Sequence, residues 1–148
     1  MLDAKFFLKV GPIVRDRYRK HIFTDAKDIN DQPFKGYSKE YGTAKRANTF
    51  KRQSSQYSNS LAPVLTSDLL RDYSLIKTSS SGFQIGWSTY GARVEQLNKR
   101  GRVLTTSDQP MPKKVLDYLF KQAHTYIGKK SGKITGAGKT KIHRIGKK

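Results

Sequence analysis

Positive charge is crowded into two stretches without regular apolar periodicity, and an ordinary core is left to the remainder of the chain. From Gly128 to Lys148 the sequence carries Lys129, Lys130, Lys133, Lys139, Lys141, Arg144, Lys147 and Lys148, and no acid. Such like charges repel one another, and the interspersed glycines make ordering costly. The segment reads as a flexible basic tail, residues 128–148, following a domain of residues 1–127. A tail of this kind solubilises a chain, or it orders on nucleic acid or on a neighbouring subunit.

The second stretch runs from about Asp31 to Ala62 and reads as a long basic loop. Lys35, Lys39, Lys45, Arg46, Lys51 and Arg52 face only Glu40, and Phe34, Tyr37, Tyr41, Phe50 and Tyr57 are interleaved with them. So long a connection is usually functional or disordered. The expectation is that Tyr37, Tyr41, Lys45, Arg46, Phe50, Lys51, Arg52 and Tyr57 contact a neighbouring subunit or ring partner. Stacking of single-stranded nucleic acid on the aromatics, or packing on the chain's own sheet, are the other readings.

Over 148 residues, Lys+Arg 30 against Asp+Glu 11 leaves a net charge of +19. That balance favours a polyanion or an acidic protein surface as partner. The absence of cysteine excludes disulfides, thiolate metal sites and a cysteine nucleophile. No apolar run approaches the roughly 20 residues of a membrane span. Met1 to Val10 is too mixed for a secretory signal, so the expected protein is soluble and made in the cytoplasm.

The remainder reads as a small α+β domain, with N-terminal and C-terminal helices on an antiparallel sheet. Leu2, Phe6, Val10, Val14 and Tyr18 recur at steps of four, which predicts a helix over about Asp3 to His21, capped by Asp3 and kinked near Pro12. An alternative starts it at Pro12. Leu65 to Asp72 predicts a helical turn capped by Thr66 or Ser67. Tyr73 to Thr78 and Phe83 to Ser88 predict a hairpin, with Phe83, Ile85 and Trp87 on its buried face. A short helix through Tyr90, Val94 and Leu97 ends at Gly101, and Val103 to Thr106 predicts another strand. After Pro110 and Pro112, a helix is expected from about Lys113 to Ile127.

Chemistry is sparse. Gly136 to Thr140 reads GAGKT, but the phosphate-loop pattern then needs Gly at residue 133, which is Lys. His21, His124 and His143 lack ligand spacing, and the first two are expected at helix ends. Asp25, Asp28 and Asp31 lack the glycine and terminal glutamate of a calcium loop. No catalytic residue, cofactor site or metal site is assigned, and no enzymatic activity is expected.

A series of short motifs has a family resemblance. Gln32-Pro33-Phe34-Lys35-Gly36-Tyr37-Ser38 is followed by a basic stretch and then by Pro63 through Ser74. Ile85-Gly86-Trp87-Ser88, Tyr90-Gly91-Ala92-Arg93-Val94 and Gln109-Pro110-Met111-Pro112 come next. In this order they resemble the phage virion morphogenesis proteins, the Mu G-like and related tail-completion group. The resemblance spans the chain from Phe34 to Tyr118. It implies a structural virion protein: a ring-forming head–tail connector, or neck, subunit joining capsid and tail around the DNA channel. Implied partners are copies of itself, other neck, portal-side or tail-tube proteins, and channel DNA met through non-specific phosphate contacts, with no membrane. The alternative from charge alone is a non-enzymatic basic nucleic-acid-binding protein, ribosomal or chromatin-like.

Overall fold

The computed structural model describes residues 1–63 and 67–136, the last four by backbone only. Helix α1, Ala4–Arg19, starts where the sequence places a cap: Asp3 is extended, and its carboxylate accepts the Phe6 amide at 3.2 Å. The start is therefore at Ala4 rather than at Pro12, which lies within the helix. Phe6, Val10, Val14 and Tyr18 are buried along one stripe. Beyond Arg19 the chain does not stop at His21 as expected. It widens into one π-turn, Lys20–Thr24, in which the Asp25 amide donates to the Lys20 carbonyl at 2.9 Å. Within this wider turn His21, Ile22 and Phe23 are all buried in succession.

Strands β1, Tyr73–Thr78, and β2, Phe83–Trp87, form the predicted hairpin, a two-stranded sheet among the described residues. Tyr73 pairs with Trp87 and Leu75 with Ile85, but the next pair is Lys77 with Gln84. Ile76 is the extra residue of a bulge and is 43% exposed. That bulge is why a strict alternation fails to assign a core face to β1. α1 crosses the hairpin at Gly11, where an added Cβ would stand 3.4 Å from Leu75 and Phe83 side-chain carbons.

Short helix α3, Asp68–Asp72, leads straight into β1. Ser67 occupies its cap position with φ +66° and makes no side-chain capping bond, and Thr66 lies outside the described residues. The Leu69 carbonyl accepts the Trp87 indole N–H at 2.9 Å. The Asp72 carboxylate accepts the Ser88 hydroxyl at 2.9 Å and the amides of Thr89 and Tyr90 at 2.9 and 2.8 Å. This carboxylate fixes the exit of the hairpin and the start of α4, Gly91–Lys99. Burial works against its charge, but these donors outweigh it and hold the carboxyl below its ordinary range. Gly101, at φ +79°, ends the segment as expected.

Val103 to Thr106 is not a strand. Its groups are used singly: the Val103 carbonyl accepts the Ile29 amide, and the Leu104 amide donates to the Asn98 side chain at 2.8 Å. Helix α5, Lys113–Gly136, begins after buried Pro112, whose carbonyl accepts the Val115 and Leu116 amides. It does not end at Ile127. It continues through Gly128 and Gly132, so the first part of the expected tail is helical. The reason is tertiary: Asp3 accepts the Tyr126 hydroxyl at 2.8 Å and pairs with Lys130. Phe6 and Tyr126 meet at 5.2 Å between ring centroids. The terminal helices and the hairpin thus form one small α+β unit with α1 at its centre.

Tyr73 carries the one odd group of this core. It packs edge-on to Tyr18, centroids 5.4 Å apart, and its buried hydroxyl has no hydrogen-bond partner among the described residues. A buried unpaired hydroxyl costs about 1–3 kcal/mol. Tyr73→Phe is expected to raise stability by about 1 kcal/mol, read as a higher urea midpoint at unchanged m-value. A drop in midpoint would mean the hydroxyl is satisfied.

Candidate anion-binding interface

The long basic segment is not a plain loop. Ser38 caps helix α2, Lys39–Arg46, through its side-chain oxygen, which accepts the Tyr41 amide at 3.3 Å. Glu40 lies in the first turn and Lys45 and Arg46 in the last, matching the helix dipole. A second, single 3₁₀ turn covers Ser55–Tyr57.

Lys45, expected at a subunit interface, instead points inward and is 1% exposed. Its ammonium donates to the Ser60 carbonyl at 2.6 Å, the Ala62 carbonyl at 3.3 Å and the Tyr37 oxygen at 3.3 Å. The Tyr37 hydroxyl in turn donates to the Ala62 carbonyl at 2.9 Å. Arg102, 7% exposed, reaches the same place from the far side of the sequence. Its guanidinium donates to the Leu61 carbonyl at 2.7 Å and the Lys35 carbonyl at 2.6 Å. Both cations lie over the Tyr37 ring, Arg102 at 3.9 Å and Lys45 at 4.6 Å from its centre. Neither has a carboxylate partner among the described residues. Burial, reinforced by the neighbouring Arg102 charge, lowers the Lys45 ammonium to about 8. Burial likewise lowers Arg102, opposed by Tyr37 and Tyr41, while it raises the Tyr37 phenol.

The aromatics of the segment use their rings on one another. Tyr41 stands 4.8 Å from Tyr37 and 5.1 Å from Phe50, centroid to centroid. Tyr57 is half-buried against the core. Arg46, Lys51 and Arg52 are exposed, as the sequence reading requires of contact residues.

Beside Tyr37 and Tyr41 a cleft of about 590 Å³ opens between the segment and α4. Pro63, Leu69 and Leu97 form its apolar lining, and Arg93, Arg100 and Arg102 its cationic one. Arg93 and Arg100 are exposed, Arg93 lying 5.1 Å over the Tyr90 ring. Among the described residues, no Asp or Glu lines the cleft. Sequence reading missed all three arginines. A signal existed for Arg102: it shares an alternating face with Leu104, and both are buried.

The tail residues divide. Lys129 is exposed on α5, and Lys130 is tied to Asp3 with its ammonium 5.0 Å over the Tyr126 ring. Hydrogen bonds from Lys130, then from Tyr126 and the Phe6 amide, hold the Asp3 carboxyl far below its ordinary range. Lys133 lies on α5, and Lys139, Lys141, Arg144, Lys147 and Lys148 fall outside the described residues. So does most of the GAGKT segment. His124 is inside α5 rather than at its end, because that helix runs on. His21 is buried, 2.8 Å from the Asp28 carbonyl oxygen. Asp31 pairs with Lys114 at 2.7 Å, and Asp28 accepts the Asn30 and Gln32 amides at 2.9 Å. Among the described residues, no three acid or histidine side chains come together to hold a metal ion. None of the described helices is long and apolar enough to cross a membrane.

Comparison of the chain with protein families, with curated proteins and with solved structures finds no match.

Two outcomes follow from the buried cations. Lysine cannot span the two carbonyls that Arg102 bridges, so Arg102→Lys is expected to cost about 2 kcal/mol by urea denaturation. An unchanged midpoint would show that the bridge contributes nothing. Lys45 releases its proton near pH 8 when folded and near its ordinary 10.5 when unfolded. Between those values the unfolded chain holds more protons, so stability rises with pH. Lys45→Met is expected to abolish that rise between about pH 8 and 10, in melting scans at stepped pH. A wild-type profile that is flat there would refute the assignment.

Proposed function

We propose that this protein is a non-enzymatic structural subunit of a tailed-phage virion, forming a ring at the head–tail junction around the DNA channel. The observation that carries the reading is where the motif series falls. Phe34 is buried under Arg102, the Leu69 carbonyl takes the Trp87 indole, and Asp72 fixes Ser88 to Tyr90. Met111 and Pro112 are buried at the start of α5. Several residues of the motif series thus stand at joints of this fold, which supports the reading, while others, among them Pro33, Gly36, Gly91 and Pro110, are exposed.

The net charge of +19 suits the role. Repeated around a ring, it gives a positive annulus that attracts phosphate without reading bases. Closed rings form when one surface patch meets a different patch of the next copy and the rotation closes. The exposed Arg46, Lys51 and Arg52 are the contact residues proposed from the basic segment. The localisation proposed is the virion neck or tail, after synthesis in the host cytoplasm.

Mass spectrometry and electron microscopy of particles from the encoding phage test this reading. The protein is expected in intact virions, as a ring between portal and tail, and its loss should leave heads and tails unjoined. Normal particles lacking the protein would refute the proposal. Co-purification with ribosomes or nucleoid instead would favour a basic nucleic-acid-binding protein.

A further inference from the structure

Arg93, Arg100 and Arg102 converge on one cleft together with Leu69, Leu97 and Pro63, and among the described residues none of the three forms an ion pair with a carboxylate. The nearest acids in sequence, Glu40, Asp68 and Glu95, are not part of its lining. Arg102 is already committed to the Leu61 and Lys35 carbonyls. Arg93, on α4, and Arg100, which caps its C-terminus, have no carboxylate partner among the described residues. The cleft thus offers two available guanidinium forks above an apolar floor, beside a fixed third cation.

We propose that the cleft receives an extended acidic peptide segment of a protein partner. Its carboxylates meet Arg93 and Arg100, and an apolar side chain lies against Leu69 and Leu97. The chemistry favours peptide over nucleic acid for three reasons. Guanidinium forks match carboxylate geometry bidentately. The floor is aliphatic, which suits a side chain rather than a base. The aromatic faces that base stacking needs are already in use: Tyr37 lies under Arg102 and Lys45, and Tyr41 lies between Tyr37 and Phe50. A second copy of this chain is a poor occupant, because its net charge of +19 opposes that of the cleft.

The inference rests on the assembly reading only in making the partner a protein. It can be tested on the isolated full chain, without any ring, so either reading can fail alone. The probe is a fluorescein-labelled decapeptide alternating Asp and Leu, followed by anisotropy, with an Asp/Ser decapeptide and a ten-nucleotide oligo-dT as comparisons. The Asp/Leu peptide is expected to bind most tightly, and added salt should weaken it. Arg93→Ala with Arg100→Ala should weaken binding by roughly tenfold or more. Lys9→Ala, exposed on α1 and not part of the cleft lining, should leave it unchanged. Both arginines are exposed, so circular dichroism should show the double variant folded. The proposal is overturned if the peptide does not bind, if the double variant binds it equally well, or if oligo-dT binds better through the same arginines.

Discussion

Two cations that have left water with no carboxylate partner among the described residues organise the middle of this protein. Desolvating a guanidinium or ammonium group is expensive, and the usual remedy is a carboxylate. Here the remedy is backbone carbonyl oxygen and the face of one ring. Lys45 takes Ser60 and Ala62, Arg102 takes Lys35 and Leu61, and both lie over Tyr37. The bonds join the two ends of the basic segment to each other and to the chain beyond α4. That is how a segment so poor in aliphatic residues acquires a fixed shape. It also fixes the near wall of the cleft, since Tyr37 and Arg102 both line it.

The few acids have a matching role. Asp3 ties the first turn of α1 to Lys130 near the end of α5, and Asp31 ties the turn after α1 to Lys114. Asp72 ties α3 to the start of α4. Asp28 holds its own turn, and Asp16 and Asp25 pair with Arg15 and Lys20. Much of the negative charge is thus committed to internal connections, while Glu40, Glu95 and Asp117 are exposed. Arg93 and Arg100 of the cleft, like Arg46, Lys51, Arg52 and Lys129 elsewhere, are left exposed to whatever the chain meets.

Much of the scaffold was legible because it follows local periods. The four-residue spacing of Phe6, Val10, Val14 and Tyr18 gives α1, and the alternation of Phe83, Ile85 and Trp87 gives β2. What was not legible depends on contacts distant in sequence. Glycines at 128 and 132 read as the end of a helix, yet Asp3, far away in the chain, holds that helix past them. The apolar run Val103-Leu104 read as a strand, but the groups that would pair it went singly to Ile29 and Asn98. Lys45 read as surface charge because lysine is almost never buried alone. Only the carbonyls of Ser60 and Ala62 explain it, and no local pattern announces a carbonyl that needs a donor. The cleft was hidden for the same reason: its arginines lie on α4 and after it, outside either of the stretches that composition marks as basic.

Charge then bears on how such a subunit assembles. Copies carrying +19 each repel one another at every separation that salt does not screen. If the chain closes into a ring as proposed, negative charge brought in from elsewhere would lower that cost. On the assembly reading, two sources are available with different consequences. DNA phosphate neutralises a ring wherever the duplex passes, regardless of which proteins flank it. An acidic peptide seated in the cleft neutralises each subunit at one fixed place and carries with it the identity of the partner. A non-specific polyanion lowers the cost of closure, but only a shaped site with an apolar floor restricts which protein may dock. On that reading the same excess of charge would act in two ways: diffuse on the outer surface, where it answers to any phosphate, and focused by Arg93, Arg100 and Arg102, where it would select.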